Sequence, residues 1–128
     1  MRKLISSGSH LESPIGFSRA SRIGNHIAVA GTAPIDNGRT VHAGSVYEQT
    51  QYCLKLSISA IEEAGGRLTD VIRTRIMLTD ISEWEQAAKA HGELFSEQRP
   101  ACTFVEVKGF IDPEWLVETE VDAVINRS

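Results

Sequence analysis

Two hydrophobic periods alternate along this chain, one close to 3.6 residues and one of 2. Residues 3–6 are a short apolar strand candidate, and 7–15, rich in Ser, Gly and Pro, read as loop. Strand patterns follow over Phe17–Arg22 and His26–Ala30, with Gly24-Asn25 between them as a tight-turn signal. Gly31-Thr32-Ala33-Pro34 stops the second strand, and 35–44 read as a surface loop. From Ser45 the period changes. Tyr47, Thr50, Leu54, Ile58 and Ile61 recur at steps of three and four, which predicts a helix with one apolar stripe. Ser45 and Glu48 have capping-box spacing at its start, and Gly65-Gly66 ends it. Val71–Leu78 is again a strand, with Arg73 and Arg75 on one face. Ser82 and Glu85 repeat the capping-box spacing and open a helix predicted to run to about Phe95. Ala101–Val107 is a strand, Asp112-Pro113 a turn, and Leu116–Val124 a last strand with Glu118, Glu120 and Asp122 on one face.

The predicted order is β-β-β-α-β-α-β-β. Each helix lies between strands, so the expected layout is an α+β fold with one mixed sheet and both helices on one face. The other face of such a sheet must be solvated or buried against another subunit. At 128 residues, a single domain spanning 1–128 is expected.

Composition narrows the function classes. The chain is 41% hydrophobic and 23% charged, an ordinary globular balance. Its net charge is −4 and its pI about 5.5, without a Lys/Arg run, which argues against nucleic-acid binding. Apolar runs are too short to cross a bilayer, which needs roughly 20 residues. The two cysteines, Cys53 and Cys102, lie far apart and form no metal spacing. So few thiols and no signal-type segment point to a reducing cytoplasm. His10, His26, His42 and His91 show no ligand spacing, so no metal is expected.

Three carboxylates on one strand face are either solvated or placed so that one of them, tuned by burial and a neighbouring charge, transfers protons. Arg73 and Arg75 are candidate partners, for a protein carboxylate or a substrate acid. Cys102 reads first as a small core residue, since a nucleophilic thiol needs a base that only His91, approaching in space, could supply.

Ordered matches run through nearly the whole chain: Ile15-Gly16-Phe17-Ser18-Arg19-Ala20, Val29-Ala30-Gly31-Thr32-Ala33-Pro34, Gln49-Thr50, Glu63-Ala64-Gly65-Gly66, Asp70-Val71-Ile72-Arg73-Thr74, Leu78-Thr79-Asp80-Ile81, Pro100-Ala101 and Val117-Glu118-Thr119-Glu120. On these the chain resembles the RidA/YjgF family, also called the L-PSP or reactive-intermediate deaminase family. The resemblance implies a chorismate-mutase-like fold and a homotrimer with a central barrel and three intersubunit clefts. It also implies cofactor-free hydrolysis of small imines or enamines, with an arginine on the substrate carboxylate and a glutamate on water. By the same resemblance Glu120 is the cleft glutamate, and Gly31 the backbone glycine, followed by Thr32 in place of Gln. Phe17 replaces a tyrosine, Ala88 an asparagine and His91 a tyrosine.

One departure matters most. Active deaminases read P-A-R-S where this chain reads Pro100-Ala101-Cys102-Thr103. A thiol cannot make the bidentate link that arginine makes to a carboxylate. Losing such a pair costs several kcal/mol, roughly a hundredfold or more in affinity. The expectation is therefore a hydrolase of altered specificity, with Arg75 supplying the charge beside Cys102. The rival expectation is a non-catalytic trimer that binds a metabolite or regulates a partner. The endoribonuclease or translation-inhibitor label attached to the family fits an acidic chain poorly.

Overall fold

The computed structural model describes residues 2–126. Six strands form one mixed sheet in the order β1-β2-β3-β8-β6-β7. They are β1 (Arg2–Ile5), β2 (Ala20–Ile23), β3 (His26–Thr32), β6 (Val71–Leu78), β7 (Ala101–Glu106) and β8 (Val117–Val124). β4 (Ile35–Asp36) and β5 (Arg39–Thr40) make a separate hairpin. Two long helices, α2 (Val46–Glu63) and α3 (Trp84–Phe95), follow β5 and β6, and a single-turn helix, α1 (Glu12–Ile15), precedes β2. β8 is antiparallel to both β3 and β6, so the chain's last strand is inserted between the two strands that α2 connects. β6 and β7, joined through α3, are parallel neighbours. This is the expected α+β architecture.

The core lies between the sheet and the two long helices. On β8 the burial alternates at every residue: Val117, Thr119, Val121 and Ala123 are buried, and Glu118, Glu120, Asp122 and Val124 are only partly covered. Ile27, Val29, Ile76 and Leu78 join the buried set from β3 and β6. α2 contributes Val46, Cys53, Leu54, Ala60 and Ile61. Its buried stripe is centred one position away from the predicted one. Tyr47 and Ile58 lie at the border, and the Tyr47 hydroxyl donates to Glu93 of α3 at 2.5 Å. Gln49 is fully buried and ties two loops to the helix: its amide donates to the Val41 and Glu114 carbonyls, and its carbonyl accepts from Leu116 N–H.

Local signals behave unequally. Ser45 caps α2, its hydroxyl accepting from Glu48 N–H at 3.1 Å, while the Glu48 carboxylate turns to His42 at 3.0 Å. Gly65 takes φ +100° after α2, the left-handed conformation glycine reaches cheaply. The second capping box does not form. Asp80 accepts from both the backbone and the hydroxyl of Ser82, capping a 3-10 turn over Ile81–Glu83, and α3 begins after it. Two expected loops hold structure, α1 within 7–15 and the β4–β5 hairpin within 35–44. Asn37 and Gly38 turn the hairpin at positive φ.

Two glycines separate packing from propensity. A Cβ on Gly66 would lie 2.8 Å from Ile61 Cγ2 and 2.9 Å from Ile27 Cδ1, whereas one on Gly92, inside α3, meets nothing within 4 Å. Gly66→Ala is expected to destabilise by about 1–3 kcal/mol through overpacking. Gly92→Ala is expected to stabilise by about 0.5–1 kcal/mol. Thermal unfolding of the two variants reads both signs, and a destabilisation shared equally by both would contradict this packing.

Candidate functional site

Strand parity decides which candidate residues meet. In the ladder Arg75 stands opposite Glu120 on one side and Thr103 on the other, so the three share a sheet face. Glu118 and Met77 are paired next along that face, and Arg73 and Asp122 before it. None of the long helices covers this face. Leu4, Ser21 and Ala28 continue it across β1–β3. At that end the strands and the segment after α1 enclose an open hollow of about 650 Å³, lined by Leu4, Phe17, Ser21, Ala28 and Ala30.

The centre of the open face is a charge pair. Arg75 donates from Nη1 to Glu120 Oε1, both side chains being a little under half exposed. The guanidinium fixes the Glu120 carboxylate on the open face, where its other lone pairs can hold a water. Glu118 differs. Burial, and secondarily the Glu120 charge, push its carboxyl above the ordinary range, and among the described residues it forms no ion pair. β3 bulges between Val29 and Thr32, and Gly31 lies against Glu118: a Cβ there would sit 3.1 Å from Glu118 Oε1. Thr32 is buried, its hydroxyl donating to the Ala30 carbonyl and accepting from Ser57 at 3.3 Å. Its side chain is therefore committed to the interior.

Cys102 stands on the other face. It is exposed, on the edge strand β7, and its ladder partner is Thr74 rather than Arg75. The expectation that Arg75 supplies charge beside Cys102 does not hold within one copy, because residues one apart on a strand project to opposite faces. The Thr74 hydroxyl lies 2.8 Å from His91 Nε2 of α3, and burial lowers the His91 pKa. His91, Thr74 and Cys102 thus gather on the helix side of the β6–β7 edge, with Ala88 one turn before His91 on the same helix. The Thr74–His91 bond was not foreseen from the sequence. Parity alone places Thr74 away from Arg73 and Arg75, and the register that brings it to Cys102 carries no local signal. The remaining cysteine, Cys53, is buried, and burial raises its pKa.

The two groups are far apart in one copy. Phe17 precedes β2 and Cys102 lies on β7, four strand spacings away, which is roughly 19 Å at about 4.8 Å each. Among the described residues no three His, Cys, Asp or Glu side chains are grouped to hold a metal ion, and no helix is long and apolar enough to cross a membrane.

The comparisons agree with this architecture. The family model for Endoribonuclease L-PSP matches residues 8–125. A Streptomyces coelicolor protein is 39% identical over 119 residues, spanning 93% of this chain and 89% of that one. The 3-aminoacrylate deaminase RutC of Acinetobacter baylyi is 34% identical over 100 residues, 77% of this chain and 79% of the enzyme. The crystal structure of a Mycobacterium tuberculosis member of the YjgF/YER057c/UK114 family superposes with a TM-score of 0.88 at 41% identity, covering 98% of this chain and all of the other. The chain belongs to the RidA/YjgF, or L-PSP, family, and its fold is the chorismate-mutase-like fold of that family.

The burial of the Glu118 carboxyl can be measured. A carboxyl whose folded pKa lies above its unfolded one binds more protons when folded, so it lowers stability as pH rises through that window. Glu118→Gln removes this penalty. The variant is expected to be more stable than the parent at about pH 7, by less than about 1 kcal/mol because solvent screens a half-buried group, and to lose that advantage near pH 3. Urea titrations at both pH values check it; an advantage independent of pH speaks against the assignment.

Proposed function

We propose that the protein hydrolyses a small imine or enamine in a cleft between copies of a homotrimer, with a specificity different from that of relatives carrying arginine at the position of Cys102. The observation that carries this reading is the Arg75–Glu120 pair on a sheet face that none of the long helices covers. A paired, partly exposed carboxylate is equipped to orient water and take its proton as the oxygen adds to a C=N carbon. The proton then passes to nitrogen, and the carbinolamine collapses to a carbonyl compound and an amine or ammonia. Gly31 offers backbone at the bulge, and Phe17 offers an apolar wall. The separation of Phe17 from Cys102 favours a site shared by two copies, one giving its β1–β3 side and the other its β7 edge with Ala88, His91 and Cys102. The deaminase name of the Acinetobacter relative supports the reaction class. Thr32 contributes through its backbone, its hydroxyl being bonded inside. We place the protein in the cytoplasm as one domain, acting without a cofactor.

Cys102 shapes the specificity. Without a cation there, the cleft favours an imine that lacks a carboxylate at that point. Generated in situ and trapped by semicarbazide, 2-iminopropionate is expected to be a poor substrate for the parent. Cys102→Arg should raise its hydrolysis at least about tenfold, and Glu120→Gln in that background should remove about a hundredfold. Activity in Cys102→Arg that survives loss of Glu120 contradicts the reading. The missing cation also favours a second reading, a non-catalytic trimer that binds a metabolite. No acceleration of any imine by either form supports that one.

A further inference from the structure

A second hollow, of about 590 Å³, lies away from the open face. The segment after β1, the tip of the β4–β5 hairpin and the middle of α2 enclose it. Arg19 and Asp36 bring opposite charges to it, and Leu11, Ile35 and Leu56 bring apolar walls. Tyr52 reaches in from α2, and its hydroxyl is fixed by donating to the Ile35 carbonyl at 3.1 Å.

The two charges are not spent on each other. Among the described residues the ion pairs within 4.0 Å are His42–Glu48 and Arg75–Glu120, so neither Arg19 nor Asp36 has an ionic partner. Arg39 stands opposite Asp36 in the hairpin ladder, yet makes no ion contact with it and does not line the hollow. Glu12 feels the Arg19 charge without an ion contact to it, and its carboxylate accepts from Ser7 N–H and from the Ser6 and Ser7 hydroxyls. Both charges nevertheless bear on one point. Burial is the main cause that raises the Tyr52 pKa; the Asp36 carboxylate adds to the rise and the Arg19 guanidinium opposes it. A cation and an anion thus face the same tyrosine from different elements, more than 4 Å apart, in a cavity with an apolar wall. Ligand sites are hollows of this size that set placed polar groups beside apolar walls; here polar and apolar surface line the hollow about equally.

We infer that this hollow is a binding site for a free α-amino acid with an apolar side chain, the carboxylate taken by Arg19, the ammonium by Asp36 and the side chain by Leu11, Ile35 and Leu56. Only a zwitterion uses both charges; a simple anion leaves Asp36 repelling it, and a simple amine leaves Arg19 doing so. The site is distinct from the Glu120 face and does not rest on the hydrolase reading.

The test is amide NMR titration of the full chain with L-leucine, with 4-methyl-2-oxopentanoate, which lacks the ammonium, and with 3-methylbutylamine, which lacks the carboxylate. Leucine is expected to shift the amides of Ser9, Asn37 and Gly38 and to bind at least about tenfold more tightly than either fragment. Arg19→Gln and Asp36→Asn each replace a charge by a neutral polar group and should each weaken leucine binding at least about tenfold, with thermal unfolding confirming that both remain folded. Three outcomes overturn the inference: no shifts at about 10 mM leucine, equal binding of the keto acid, or shifts that persist unchanged in both variants.

Discussion

A six-stranded sheet with both long helices on one face has an inside and an unfinished side, and every other feature of this protein answers to that constraint. The inside is closed by alternation on β8, where each buried Val or Thr is followed by an acidic or exposed position. The unfinished side carries Arg73, Arg75, Glu118, Glu120 and Asp122 on its central strands and an apolar hollow with Phe17 at one end. Charges at the centre resist burial unless paired, and Arg75–Glu120 is such a pair. A partner surface of the same chain, complementary around a symmetry axis, can complete that face while leaving clefts at its edges.

Parity then partitions the chemistry. Glu120 and Arg75 meet because they oppose each other on adjacent antiparallel strands; Cys102, one position out of phase with Thr103, cannot join them in the same copy. Its ladder partner is instead Thr74, whose hydroxyl bonds His91 on the helix side. The proposed cleft uses both groups and therefore needs two copies, and the selectivity proposed for it rests on a thiol standing where a guanidinium would fix a carboxylate. The glutamates two apart on β8 diverge for a similar local reason: one has a cation opposite, the other has Met77 opposite and Gly31 beside it.

Much of this was legible in the residues. Long elements announced themselves by period, and the open face by Arg73, Arg75 and the alternate carboxylates. What escaped was short or competitive. Four residues of α1 and two-residue strands hold no period to read. Ser82 and Glu85 had the right spacing for a cap, but Asp80, two residues earlier, captured the serine. Tyr47 looked like core by spacing, yet its hydroxyl drew it to the edge beside Glu93. The cross-strand register, which set Cys102 against Thr74 rather than Arg75, depends on how β6 and β7 slide past each other and leaves no mark in either strand alone.

The central claim is that the open face is finished by copies of the same chain. Sedimentation velocity across a range of protein concentrations tests it most directly. The account predicts one species of about 42 kDa, three chains of 14.0 kDa, persisting at micromolar concentration. A stable monomer of 14.0 kDa that keeps its fold would contradict it.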